Sequence, residues 1–270
     1  MTGQAAQAPV MVPASHAEQG LAPLRELLTS DDVNEVVINP DGGIWVERSG
    51  SEHMIRWEGS LPETRIKPLG GHLAGETGNQ LGAKHPIVSG RVVLFGQTMR
   101  VQIIVPPAIE KGVSVSIRKY VSRVLDVQEV GFLDSGQVDV DALRLERLKT
   151  LTDMARAGDL ENLFRAAIHD KLNILVSGGT SSGKTTLARA LLAISDRNER
   201  MVTIEDAPEL HLPHLNTVAL VAERRGGSER SPTLLLESAL RMRPDRLILG
   251  EIRGVEALNF LEAINTGHPG

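Results

Sequence analysis

Apolar positions along the chain change their spacing near residue 120. Before that point most apolar runs alternate with polar residues, or fill four to seven positions between turn signals, which predicts strands. These runs are Glu35–Asn39, Gly43–Arg48, His53–Trp57, Arg91–Phe95, Met99–Val105 and Val113–Arg118. Pro40-Asp41-Gly42, Gly96-Gln97 and Pro106-Pro107 mark turns between them. Leu21, Leu24, Leu27 and Leu28 are spaced for a short amphipathic helix. Residues 62–82 have partial helical spacing but carry Pro62, Pro68 and several glycines, which predicts a weak or broken helix.

After residue 157 strands and helices alternate. Asp159–His169 reads as a helix with Asp159 as its cap, Ile174–Ser177 as a buried strand, and the run after Thr186 as a helix. Met201–Glu205, Val218–Val221 and Arg246–Gly250 read as strands. Ser231-Pro232 opens a helix expected to reach Arg243 and stop at Pro244, and a further helix covers Val255–Ile264. Such alternation predicts a parallel sheet covered by helices. The expected organisation is a disordered tail over 1–20, an α+β domain over 21–120, a linker with one or two helices over 121–157, and an α/β domain over 158–270.

Composition narrows the function. Hydrophobic residues make up 41% and charged residues 23%, the balance of a globular protein. The net charge of −5 provides no broad basic field, and aromatics at 3% are too few for base stacking, so sequence-specific nucleic acid is not an expected partner. There are no cysteines, which excludes disulfides and thiolate-bound zinc. No apolar run approaches the ~20 residues that span a bilayer, and the N-terminus has no secretory pattern, so a cytoplasmic location is expected.

The chemistry concentrates in Gly178-Gly179-Thr180-Ser181-Ser182-Gly183-Lys184-Thr185-Thr186. Glycines let consecutive backbone N–H groups converge on one anion, and the following helix adds uncapped N–H groups and the positive end of its dipole. Lys184 is placed to reach β- and γ-phosphates, and the Thr185 hydroxyl to ligate Mg²⁺, so ATP and Mg²⁺ are the expected cofactors. Two apolar strands end in acids, Glu205-Asp206 and Glu251. Ligands in such sheets sit at the carboxyl ends of strands, so Glu205 and Glu251 are candidates to polarise a water or to hold Mg²⁺, partly through water. Spacing leaves open which of the two is the base. Arg100, Arg118, Arg224, Arg225, Arg241 and Arg243 are available to offset transition-state charge, although spacing alone reads each as a surface ion-pair residue. His211-Leu212-Pro213-His214 reads as a loop.

Four motifs in order carry a resemblance. They are Gly178–Thr185, Thr203–Leu210, Leu240–Glu251 and Thr266-Gly267-His268-Pro269-Gly270. They resemble the Walker A loop, Asp box, Walker B and the start of the His box of the type IV secretion traffic ATPases, the VirB-eleven-like branch of the type II/IV secretion ATPase superfamily. A looser likeness runs through Glu35–Asn39 and from His85-Pro86-Ile87 to Lys119. The resemblance implies a homohexameric ring, an N-terminal domain joined to a RecA-like domain, and nucleotide bound between the two. It implies that Arg100 and Arg118 contact the γ-phosphate, that Arg241 lies near the nucleotide, and that His268 belongs to the catalytic set. It further implies a cytoplasmic motor, peripheral to the inner membrane, that works with other components of a secretion or conjugation machine. The His box breaks off at Gly270, so the RecA-like domain is expected to be C-terminally incomplete. A type II secretion or pilus retraction ATPase of the same superfamily, a non-hydrolysing nucleotide switch and a nucleic-acid translocase are the competing readings.

Overall fold

Six antiparallel strands and three parallel ones build two separate sheets in the computed structural model, which describes residues 15–59, 61–120 and 139–265. The first sheet contains β1 (Val33–Ile38), β2 (Ile44–Arg48), β3 (Ile55–Arg56), β4 (Ile87–Leu94), β5 (Gln97–Ile104) and β6 (Ser114–Lys119) in the order β3-β2-β1-β6-β5-β4. One face alternates Val36, Ile38, Ile44, Val46, Val101, Ile103, Val115 and Ile117, all nearly or fully buried. That face is covered by α1 (His16–Gly20), a 3-10 turn (Ala22–Leu24), α2 (Arg25–Thr29) and α3 (Glu63–Glu76).

Two expectations for this region are corrected. Residues 62–82 contain a continuous helix, α3, despite Pro68. Its glycines serve packing: a Cβ on Gly70 would lie 3.1 Å from Leu81 and Val113, so the small residue lets the helix sit close to the sheet while Leu69 and Leu73 fill it. The segment expected to be a loose tail includes α1, where Ser15 accepts the Glu18 N–H at 3.2 Å and Ala17 is fully buried. Residues 1–14 lie outside the described part.

The second half starts with α4 (Val140–Ala157), capped by Asp139, and α5 (Leu160–His169), where Asp159 caps as expected. The linker positions 121–138 lie outside the described residues. Next come α6 (Lys184–Ile194), β7 (Met201–Glu205), β8 (Thr217–Val221), α7 (Pro232–Ala239), β9 (Arg246–Leu249) and α8 (Glu256–Asn265). The parallel sheet runs β8-β7-β9, with Val202 level with Val218 on one side and Leu247 on the other. Helix α7 ends at Ala239 rather than Arg243, because i→i+3 bonds at Arg241 and Met242 tighten the chain and Arg243 adopts φ +55° before Pro244.

Ile174–Ser177 is not a strand. The run pairs with no strand among the described residues, and Leu175 is 80% exposed. Alternation and β-branching give a segment the capacity for a strand, but the ladder needs a neighbour, and the outer edge of β9 carries none here.

The two halves share a core. Ile104, Ala108 and Ile109 pack with Val202, Ile204, Val218, Leu220 and Leu247, and the Val221 N–H donates to the Ala108 carbonyl at 2.8 Å. Arg200, fully buried, donates to Asn39 Oδ1 and to the Met242 carbonyl, each at 2.8 Å, and also to Asn216. Burial brings its guanidinium down to about 10, so it stays cationic at neutral pH. Among the described residues no helix is long and apolar enough to cross a membrane.

Candidate functional site

The glycine loop turns on two left-handed residues, Ser181 at φ +61° and Gly183 at φ +87°. A Cβ on Gly178 would fall 2.6 Å from the Ser182 Oγ, so only glycine fits there without a shift. Ser182 Oγ and Lys184 Nζ both donate to the Gly179 carbonyl, at 2.9 and 2.6 Å, which curls the loop on itself. Gly183 supplies no side-chain cap, so the first N–H groups of α6, at Lys184, Thr185 and Thr186, are not satisfied by a capping side chain. Gly178 to Gly183, Thr185 and Thr186 are exposed and Lys184 is half-buried. A cradle that a Cβ would fill, an uncapped helix start, one lysine and one hydroxyl form a donor set that fits a phosphate chain with a hard cation.

β7 and β9 are neighbours, so their carboxyl ends bring Glu205 and Glu251 to one place. The Gly250 N–H donates to the Ile204 carbonyl at 2.8 Å, and a Cβ on Gly250 would sit 3.1 Å from Glu205 Cγ. The two acids nevertheless differ in what surrounds them. Glu205 is 4% exposed, and both its oxygens are occupied. Oε1 accepts from Thr203 Oγ1 at 2.6 Å, and Oε2 accepts the Glu209 and Leu210 N–H groups at 2.8 and 3.0 Å. Glu205 thus pins the loop that leaves its own strand. Glu251 is about one-third exposed and lies between two arginines, with Oε2 accepting from Arg253 at 2.6 Å. Its Oε1 is buried 3.2 Å from Arg224 Nε without an aligned hydrogen bond, because that N–H is directed at Asp206.

Arg224 is the centre of this cluster, a role that sequence spacing did not indicate. Nε donates to Asp206 at 2.9 and 3.1 Å, and Nη1 donates to Glu256 Oε1 at 2.7 Å. Glu256 also accepts the Arg253 N–H at 2.8 Å. Burial disfavours its charge, but the Arg224 bond and the backbone N–H groups of Arg253 and Glu256 outweigh it and hold the carboxyl at about 2. The available signal was positional: Arg224 follows β8 as Glu205 and Glu251 mark the ends of β7 and β9, and Glu256 opens α8.

The other arginines separate. Arg100 and Arg118 are register partners on β5 and β6, both exposed, with Arg100 over the Tyr120 ring at 5.8 Å. Arg241 is exposed in the turn after α7. Arg243 reaches back to the first sheet and donates to Glu47 at 2.8 Å. Among the described residues no ion pair or hydrogen bond joins Lys184 to Glu205 or Glu251, and His268 lies outside those residues. His214 of the His211–His214 loop is buried, with Nε2 3.1 Å from Ser195 Oγ.

A glycine loop entering an uncapped helix, in a chain whose parallel sheet gathers acids at its strand ends, defines a phosphate-loop α/β protein. The chain belongs to the family described as Type II/IV secretion system protein, whose model matches residues 17–270. It is 35% identical over 266 residues to the type IV secretion system protein VirB11 of Bartonella henselae, across 93% of this chain and 74% of that protein. It is 33% identical over 246 residues to a probable conjugal transfer protein TrbB of Sinorhizobium fredii, across 90% of this chain and 67% of that one. The crystal structure of the VirB11 ATPase from the Brucella suis type IV secretion system, in complex with sulphate, superimposes with a TM-score of 0.80 at 31% identity, covering 94% of this chain and 74% of that chain.

Proposed function

We propose that this chain is an ATP-hydrolysing motor of a bacterial type IV secretion or conjugation system, built from an N-terminal domain over 21–120 and a RecA-like domain over 158–270. The observation that carries this reading is the loop: the Gly178–Ser182 close approach and the uncapped start of α6 form a phosphate cradle within a secretion-family chain. Lys184 releases the Gly179 carbonyl and turns to the β- and γ-phosphates, while backbone N–H groups from Gly179 to Thr186 grip the tail. Thr185 holds Mg²⁺, which when bound offsets charge on the transferred phosphoryl group.

Glu251 is the better candidate for orienting the attacking water, because one of its oxygens is buried without a hydrogen bond. Glu205, with both oxygens committed to Thr203, Glu209 and Leu210, positions the loop after β7 and contributes to Mg²⁺ only at a distance through water. Arg100 and Arg118 approach the γ-phosphate from the first sheet, Arg241 contributes from the turn after α7, and His268 completes the set. The working unit is a homohexamer, cytoplasmic and peripheral to the inner membrane, docked on other components of the secretion machine.

The test is calorimetric titration of Mg·ATP together with steady-state phosphate release. Binding heat and turnover in the wild type, with turnover lost in Lys184→Ala, are the expected results. No heat on titration, or turnover that survives Lys184→Ala, overturns the reading.

A further inference from the structure

The face of the first sheet that turns toward the shared core carries a charged row reaching across five strands. Arg91 on β4 stands opposite Arg100 on β5, Arg100 opposite Arg118 on β6, Arg118 opposite Glu35 on β1, and Glu35 opposite Glu47 on β2. Directly opposed residues on antiparallel strands have Cβ atoms about 4.5–5.5 Å apart, and like charges so placed repel. Within the row, therefore, Arg118 is pushed by Arg100 and drawn by Glu35.

Exposure divides at the same point. The three arginines are exposed, whereas Glu35 is 1% exposed and its Oε1 has no hydrogen-bond partner. The charged groups around Glu35 are Arg118, Glu47, Arg200 and Arg243. Arg200 directs N–H groups to Asn39, Asn216 and the Met242 carbonyl, and Arg243 directs its own to Glu47 and Asp245. Arg118 makes no hydrogen bond or ion pair with another described residue. Arg200 Nη2 is also buried without a hydrogen-bond partner, but its other N–H groups are held by Asn39, Asn216 and the Met242 carbonyl, whereas Arg118 stands directly opposite Glu35 in the strand register. A buried carboxylate with an orphan oxygen is costly unless a charge nearby repays it. Burial pushes the Glu35 carboxyl up to about 7, against the pull of Arg118.

We propose that Glu35 is the positioning residue for Arg118, holding its guanidinium on the sheet face by charge so that it is presented to the terminal phosphate of a bound nucleoside triphosphate. The assignment rests on the reading of Arg118 as a γ-phosphate contact. Glu35 acts through Arg118 and touches no reacting atom. Because Glu35 also faces Arg200, which bridges the two halves, the same carboxylate links the phosphate-sensing arginine to the contact between the sheets.

The experiment measures phosphate release and the ratio of Mg·ATP to Mg·ADP affinity for the wild type, Glu35→Gln, Glu35→Asp, Arg118→Ala and the double variant Glu35→Gln/Arg118→Ala, with thermal midpoints alongside. Glu35→Gln is expected to lower turnover and the preference for ATP about tenfold at unchanged ADP affinity, within the range for coupled neighbours. Glu35→Asp recovers part of the loss, and in the Arg118→Ala background Glu35→Gln adds less than about twofold. An undiminished loss in that background, or wild-type behaviour of Glu35→Gln, overturns the proposal. Wild-type turnover in Arg118→Ala instead removes the underlying role of Arg118, and the two failures are told apart by which single variant is silent.

Discussion

Arg224 Nη1 donates to Glu256 Oε1 at 2.7 Å, tying the segment after β8 to the first turn of α8 across 32 positions of sequence. Glu256 is 5% exposed, so this bond offsets the desolvation of its carboxylate, and the same guanidinium holds Asp206. Two acids beyond the strand ends and one opening α8 would repel one another, and Arg224 is what lets Asp206, Glu251 and Glu256 share that space. Arg224→Ala is expected to destabilise the protein by about 2 kcal/mol, below the figure for a fully buried pair because a quarter of the side chain is exposed. Adding Glu256→Gln should recover part of the loss in a urea melt; a double variant weaker than Arg224→Ala alone would contradict this account.

Glu205→Ala removes the acceptor for Thr203 Oγ1 and for the Glu209 and Leu210 N–H groups. A loss of about 2–3 kcal/mol is expected from the donors left unmade. Hydrogen exchange at Leu210, itself buried, should accelerate well beyond the global change. Unaltered exchange there would show that the loop is held by something else.

Gly178→Ala is expected to weaken Mg·ATP binding about tenfold, since its Cβ would meet the Ser182 Oγ at 2.6 Å and the loop must open to admit it. That oxygen is fixed by its bond to the Gly179 carbonyl. The double variant Gly178→Ala/Ser182→Ala should therefore bind more tightly than Gly178→Ala alone. Equal affinity in the two variants would rule out the steric explanation.

Two carboxyls set opposite pH limbs on stability. Glu35 rises from 4.5 to about 7 on folding, chiefly through burial, so its contribution is complete below 4.5 and is lost as pH rises toward 7. Glu256 falls from 4.5 to about 2, so its contribution is present above 4.5 and is lost as pH drops toward 2. Each limb is worth ~3 kcal/mol, from 2.5 pH units at 1.36 kcal/mol each. Urea midpoints from pH 3 to pH 8 should show Glu35→Gln flattening the upper limb and leaving the lower one. An identical upper limb in Glu35→Gln would place the titration elsewhere.

Arg200→Met leaves Asn39 and Asn216 without their buried cationic donor and Glu35 without one of its opposing charges, and should cost about 3–5 kcal/mol. Because the lost bond to Asn39 joins the two halves, proteolysis between the halves should speed up together with the drop in stability. A fall in stability without faster cleavage would mean that Arg200 supports only its own half.

Elements whose bonds close within a few residues were legible in the sequence. Asp159 and Ser231 cap the helices that their spacing announced, Met201–Glu205 is a strand at the expected residues, and the phosphate loop leads into α6 at Lys184. Capping, glycine geometry and helical periodicity are short-range physics, so one chain suffices to read them.

What the fold alone decided lies in partners far apart in the chain. Whether Ile174–Ser177 becomes a strand depends on a neighbouring edge, which periodicity does not encode. The difference between Glu205, consumed by its own loop, and Glu251, whose Oε1 is ion-paired with Arg224 but accepts no hydrogen bond, arises from which N–H groups the loop after β7 brings back. The row from Arg91 to Glu47 exists only through register, since a slip of one residue in any of these strands would turn its member to the opposite face. The sequence supplied a glycine loop entering a helix and a set of charged side chains; strand pairing and burial, acting over dozens of residues, determined which of those charges meet.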